Sequence, residues 1–241
     1  MADAAEPALT VEDLHAGYDG PDVLHGISLN VRKGQIVTVV GPNGHGKSTL
    51  LRTISGLTKV RRGRILAGKR LIQSLRPDQV AASGIVHVPQ GDLLFPDMTV
   101  YENLLMGAYT TTDRARIDAR LDTVYDLLPR LKERHTQVAS SLSGGERRMV
   151  GIGRGLMADG QLMMIDEPSL GLAPLVIEQI YEVIAALRAE GRTILLVEEN
   201  PVRVAHLSDE MHLLDDGRIV WSGAPAELLA RDELLTTYLG G

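Results

Sequence analysis

Gln35-Ile-Val-Thr-Val-Val-Gly-Pro-Asn-Gly-His-Gly-Lys-Ser48 is the stretch on which the fold turns. The five residues after Gln35 are apolar or β-branched, the composition of a strand buried on both faces. The next eight, Gly41-Pro-Asn-Gly-His-Gly-Lys-Ser48, fit the phosphate-loop pattern G-x-x-x-x-G-K-[ST] without deviation. Glycines let the backbone turn its N–H groups inward around a phosphate, and a helix beginning at Lys47 and stopping near Gly56 adds its positive end. In such a loop Lys47 reaches the β- and γ-phosphates and Ser48 holds Mg²⁺. Gly41, Pro42, Asn43, Gly44, His45, Gly46 and Thr49 complete the expected cradle, with His45 read as a spacer in a variable slot. A glycine-rich turn could match by chance, but the strand before it and the helix after it argue against that.

Outward from the loop, Leu9–Val11 and Ile27–Val31 read as strands, with Lys33-Gly34 as the turn before Gln35. Residues 63–90 carry short strand-like pieces ending at Gly84-Ile-Val-His-Val-Pro89. From about Thr99 to Leu156 the pattern turns helical with charged faces. A strand returns at Leu162–Ile165, a helix at Leu175–Glu190 and a strand at Thr193–Val197. This rhythm predicts an α/β fold, a mainly parallel sheet covered by helices, with the block at 99–156 as a helical insertion. Residues 1–8 read as a loose tail, and the basic run Lys59-Val-Arg-Arg-Gly-Arg64 as a solvated turn.

The chain has 241 residues, 44% hydrophobic and 23% charged, as an ordinary globular domain does. A net charge of −6 gives no footprint for nucleic acid. The absence of cysteine removes disulfides, zinc ribbons and thiol nucleophiles. Met1-Ala-Asp-Ala-Ala-Glu-Pro-Ala8 has neither the basic nor the apolar region of a signal peptide. The longest apolar runs are far too short for a membrane span, so work at a membrane requires docking to a partner. The histidines show no ligand pairing with acidic residues, and no metal beyond Mg²⁺ is expected.

Leu162-Met-Met-Ile-Asp-Glu167 is an apolar strand ending in two carboxylates. Beside a phosphate loop such a pair divides the labour: Asp166 binds Mg²⁺ and Glu167 polarises the attacking water. Leu142-Ser-Gly-Gly-Glu146 begins a helix whose Ser143 and Glu146 form a capping box. A cap does not need two glycines, which weaken a helix; Gly144 and Gly145 make sense where a phosphate approaches the backbone. Gly153-Arg-Gly-Leu-Met-Ala158 fits a loose dinucleotide-binding pattern but follows no strand, and is set aside.

Together, the phosphate loop, Leu142–Glu146 and Asp166-Glu167 resemble, in order and spacing, the nucleotide-binding domains of ABC ATPases. The resemblance spans nearly the whole chain. It implies a P-loop NTPase core with an antiparallel β subdomain and an inserted helical subdomain: one domain over 9–241, its core from 9–90 and 159–241, its helical part from 91–158. It implies that ATP is bound with Mg²⁺, and that Ser143, Gly144 and Gly145 serve the γ-phosphate of ATP held by a second ABC ATPase subunit, the same chain or a different one. By the same resemblance Tyr18 stacks on adenine, Gln90 senses Mg²⁺ and the attacking water, and Ser169–Ala173 crosses the dimer interface.

Pro96–Asn103, Asp166–Pro174 and Tyr238–Gly241 are similar to the smaller ATPase subunit of branched-chain amino-acid importers, and to related urea and amide importers. That likeness implies transmembrane permease subunits as partners and a periplasmic binding protein indirectly. It also implies a cytoplasmic place on the inner face of the cell membrane, with the permease docking near Leu93–Pro96. A soluble ABC-type ATPase of an assembly system is the alternative. Two departures stand out. Glu199 occupies the family's switch-histidine position and is expected to turn toward a cation, and Gly151 and Gly155 stand where alanine would favour the helix.

Overall fold

The structure is a computed structural model that describes residues 7–91 and 93–239. Strands β1 (Pro7–Ala16) and β2 (Leu24–Arg32) open the chain, and β3 (Ile36–Val40) leads through the phosphate loop into helix α1 (Lys47–Ile54). β4 (Val60–Ala67), β5 (Arg70–Leu71), α2 (Pro77–Ala82) and β6 (Ile85–Val88) follow. The helical block comprises α3 (Val100–Gly107), α4 (Arg114–Leu127), α5 (Pro129–Glu133), a 3₁₀ turn at Ala139–Ser141 and α6 (Gly144–Met157). The rest is β7 (Leu162–Asp166), α7 (Pro174–Ala189), β8 (Ile194–Glu198), α8 (Pro201–Val204), β9 (Glu210–Asp215), β10 (Arg218–Gly223), α9 (Pro225–Leu229) and α10 (Asp232–Leu239).

Two sheets result. The larger has the order β10-β9-β3-β8-β7-β6, parallel throughout except for the β9–β10 hairpin. Every residue of β3, β7 and β8 is buried, which is why these strands read as unbroken apolar runs. Alternate residues then serve two cores. Val37, Val39, Met164, Leu195 and Val197 pack toward the smaller sheet, whereas Ile36, Val40, Met163, Ile165 and Leu196 pack toward the helical block. The smaller sheet, β2-β1-β4-β5, is antiparallel.

Two segments depart from what their sequence suggests. The tail does not extend to residue 8: β1 begins at Pro7, and Ala8 is buried, while residues 1–6 lie outside the described residues. The basic run at 59–64 is no turn but the start of β4. Its arginines meet acids of β1 and of the β1–β2 connection: Arg61 pairs with Asp22, Arg62 with Asp13 and Arg64 with Glu12. Opposite charges facing each other across strands favour the pairing that a charge run viewed alone conceals.

Candidate nucleotide site

Contacts within the protein hold the phosphate loop in shape. Gly44 and Gly46 adopt left-handed backbone, φ +84° and +105°, which a side chain would strain. A β-carbon at Gly41 would lie 2.1 Å from the carbonyl oxygen of Leu214, so the loop's first residue rests directly on β9. His45 proves more than a spacer. Its Nδ1 lies 2.8 Å from Asp215 Oδ1 and 3.1 Å from the N–H of Asp216, and its carbonyl accepts from the N–H of Gly217 at 3.1 Å. The variable slot thus fastens the loop to the β9–β10 turn.

Lys47 and Ser48 begin α1, and their side chains turn in opposite duties. The Lys47 ammonium is almost fully buried and donates to the carbonyls of Gly41 at 2.8 Å and Pro42 at 2.9 Å. It also lies 3.0 Å from Glu167 Oε1. Ser48 Oγ donates to Asp166 Oδ1 at 3.1 Å. Gln90 closes the ring from the end of β6, its Nε2 donating to Glu167 Oε2 at 2.9 Å. Five of the expected residues, from three separate segments, therefore meet in one constellation. Burial pushes the Asp166 carboxyl above the usual range, and the nearby Glu167 adds to that, while the Ser48 hydroxyl works against it.

Glu167 is the strained member. Its φ of +43° is left-handed, uncommon for a residue with a side chain, and its N–H donates to the carbonyl of Val197 at 3.0 Å. Neighbouring strands β7 and β8 over-determine this conformation, the condition under which such strain persists. Tyr18 sits on the outer side, about half exposed, with its hydroxyl 3.5 Å from Thr49 Oγ1. That contact and the neighbouring Arg52 hold its phenol below the usual tyrosine value.

Ser143, Gly144 and Gly145 begin α6 with the expected capping box: Ser143 accepts from the Glu146 N–H, and the Glu146 carboxylate accepts from the Ser143 N–H at 2.9 Å. Among the described residues no hydrogen bond or ion pair joins them to the phosphate loop. The two glycines differ in their surroundings. A β-carbon at Gly145 would lie 2.5 Å from Val176 Cγ1 on α7, so helix packing demands that glycine, whereas Gly144 meets nothing closer than 3.7 Å and leaves the backbone approachable. Gly155 is likewise a packing glycine, since a β-carbon there would lie 2.6 Å from Val88 Cγ2.

Nothing in its own segment points to a role for Glu198. This carboxylate, 2% exposed, ends β8 and accepts from the Ser169 N–H at 3.2 Å, Ser169 Oγ at 3.1 Å and Tyr181 Oη at 2.9 Å. Burial pushes its pKa up against those bonds, and pushes the Tyr181 phenol up with it. Its neighbour Glu199 is exposed and lines a cavity of about 540 Å³ together with Glu167, Ser169 and Arg203. Among the described residues no cation stands within ion-pair distance of Glu199, so the expected turn toward one is not what the chain does.

Comparison with known proteins agrees with this geometry. Residues 24–170 match the family described as ABC transporter. The chain is 42% identical to the high-affinity branched-chain amino acid transport ATP-binding protein BraG of Pseudomonas aeruginosa, over 97% of this chain and 100% of that one. It is 31% identical to the lipopolysaccharide export system ATP-binding protein LptB of Escherichia coli K12, over 96% and 97%. A crystal structure of an ABC-transporter ATP-binding cassette in its ADP conformation superposes with a TM-score of 0.84 at 28% identity, over 95% and 97%. With a phosphate loop that carries its lysine on a carboxylate at the end of β7, and with these relatives along its whole length, the chain belongs to the ABC transporter family and is an ATP-hydrolysing cassette.

Proposed function

We propose that this cassette drives import of branched-chain amino acids, and that two cassettes sandwich ATP while membrane permeases form the path. The observation that carries the solute class is the full-length likeness to BraG. None of the helices among the described residues is long and apolar enough to cross a membrane, which fits a subunit docked on the inner face of the cell membrane through permeases. An assembly ATPase leaves that likeness unexplained. The proposal is tested by combining the chain with the permease subunits of a branched-chain amino-acid importer in membrane vesicles. ATP-dependent leucine uptake is expected; ATP hydrolysis without uptake of any branched-chain amino acid would remove the solute assignment.

In the mechanism, adenine stacks on Tyr18 and the phosphates lie in the cradle of residues 41–49, with Lys47 neutralising the β- and γ-oxygens. Ser48 and Asp166 offer hard oxygen donors already 3.1 Å apart, a donor set suited to Mg²⁺. When bound, that ion neutralises phosphate charge. Glu167 takes a proton from the water that attacks the γ-phosphorus, and ADP departs on the opposite side. Gln90, donating through its amide nitrogen, keeps its amide oxygen to orient that water. Ser143 and the open backbone at Gly144 would meet the γ-phosphate held by the second subunit, with the start of α6 supplying its positive end.

Glu199 is not part of that machinery. A carboxylate near the γ-phosphate repels it by on the order of 1 kcal/mol in water-like surroundings. Glu199→Gln is therefore expected to leave the ATPase rate unchanged or raise it by up to about fivefold. A fall to the level of a Glu167 variant would make Glu199 essential and overturn this role.

The permease surface lies where helical block and core meet. A groove of about 550 Å³ there is lined by Leu57, His87, Leu93, Met106, Tyr109 and Arg154, several of them exposed apolar side chains. Phe95 stands at this face, 43% exposed, with the Arg154 guanidinium 5.9 Å from its ring. Buried Asn103 fixes the segment by accepting from the Phe95 N–H at 2.9 Å and donating to its carbonyl at 3.1 Å. The Phe95 ring is therefore not a core residue, and we assign the groove to a short cytoplasmic helix of the permease. Phe95→Ala is expected to cut transport at least about tenfold, as loss of a hot-spot aromatic does, while thermal unfolding stays within about 2 °C. Unchanged transport with a large loss of stability would return Phe95 to a folding role.

A further inference from the structure

Among the described residues, one cluster outside the nucleotide site gathers metal-ligating side chains: His15, Asp22 and His25 each offer a donor atom, all within 4.8 Å of one another. The sequence pattern hid this, because nothing in the spacing shows that β1 and β2 place His15 directly opposite His25. Directly paired residues of antiparallel strands project from the same face. The connection between the strands brings the third group. Gly17 permits a close fold in which a β-carbon would lie 2.5 Å from the Pro21 carbonyl oxygen, and the N–H of Val23 closes the turn on the Ala16 carbonyl at 2.8 Å. Asp22 is thereby folded back beside His15.

The two oxygens of Asp22 have different neighbours. Oδ1 accepts from Arg61 at 2.8 Å, which fixes the carboxylate, and Oδ2 faces His15 Nδ1 at 3.6 Å. The other nitrogen of that ring, Nε2, lies 3.3 Å from Asp13 Oδ1. A carboxylate on the far nitrogen holds the proton there and leaves Nδ1 as a lone-pair donor, the usual outer support of a metal-binding histidine. All three side chains are half-buried, so the cluster is neither sealed from ions nor fully solvated.

We propose that His15, His25 and Asp22 form a binding site for a borderline divalent transition-metal ion, zinc(II) being the best fit, with water completing the coordination. Two imidazoles and one carboxylate match zinc, whereas Mg²⁺ prefers an all-oxygen shell. Bonds near 2.0–2.1 Å put neighbouring tetrahedral donors about 3.3 Å apart, so donors that now lie within 4.8 Å of one another close by at most about 1.5 Å on loading. The ion would pin the connection between β1 and β2, the segment that carries Tyr18.

Calorimetric titration of the full chain with ZnCl₂, near neutral pH and with Mg²⁺ in excess to fill oxygen sites, tests the assignment. One equivalent of Zn²⁺ is expected, with affinity about 100-fold weaker in His15→Ala and in His25→Ala. His135→Ala, on a distant helical turn, is expected to bind as the parent does. Thermal unfolding without metal establishes that each variant is folded, and His25→Gln replaces any that is not. Parental affinity in folded His15 and His25 variants would show adventitious binding elsewhere and overturn the site. Absence of a one-equivalent phase in the parent would do the same.

Discussion

Glu167→Gln is expected to lower steady-state ATP turnover by about 10²–10⁴-fold, the range that loss of a positioned general base brings. The substitution keeps the shape of the side chain and its contact with Gln90, but an amide cannot take the proton of the attacking water. It also releases Lys47, which is 3.0 Å from the carboxylate and almost fully buried. A phosphate then no longer competes with a carboxylate for that ammonium, so ATP affinity should rise rather than fall. Two cassettes closed on unhydrolysed ATP should accumulate and run as a dimer in size exclusion, and phosphate release in a single turnover should nearly vanish. Phosphate release close to the parent's would withdraw the general-base assignment. Weakened ATP binding would show instead that the Lys47–Glu167 pair shapes the loop more than it competes with the ligand.

Glu198→Ala has the next largest effect, and it falls on stability. Removing this carboxylate strands a buried Ser169 and the Tyr181 hydroxyl, each of which donates to it within 3.1 Å. Leaving buried polar groups without partners costs about 1–3 kcal/mol each, and a loss of about 3 kcal/mol overall is expected in urea unfolding. Tyr181→Phe removes one bond only and should cost about 1 kcal/mol. The sign of the pH dependence follows from burial, which raises the native Glu198 pKa above its unfolded value. Across the window from the ordinary carboxylate value up to the raised native one, the folded state binds more protons than the unfolded state. The contribution of this group to stability is therefore greatest at the acidic end and declines as pH rises through the window. Glu198→Gln should flatten that part of the profile while keeping most hydrogen bonds. An alanine variant as stable as the parent, or an unchanged profile in the glutamine variant, would mean that the three partners find water instead.

What could be read from the sequence was whatever is written in consecutive residues. The phosphate loop, the strand ending in Asp166-Glu167 and the capping box at Ser143–Glu146 each depend on neighbours within one turn or strand, and each lies where its pattern put it. Long buried strands were legible for the same reason. The misreadings share an opposite cause. Lys59–Arg64 reads as a solvated charge run until its partners on β1 are known, and the packing of Val176 against Gly145 is equally invisible within its own segment. His15 and His25 are paired only by the register of two strands, and Glu198 draws its partners from positions 29 and 17 residues away. A side chain whose reason lies across the fold leaves no periodic trace in its own segment.

Gly41 seated against Leu214, and His45 fastened to the β9–β10 turn, have a thermodynamic corollary for ligand capture. A loop that must order around its guest subtracts that ordering from the binding free energy, roughly 1–2 kcal/mol for each backbone residue fixed. Here the cradle's disorder is surrendered when the protein folds, as part of one cooperative unit with β9. Nucleotide affinity should therefore respond little to solution conditions that merely loosen peripheral segments, and should fail together with the fold. On the proposed reading, the adjustable share of affinity falls to the half-exposed Tyr18 ring, since the backbone of its connection is tied to β4 by Arg61.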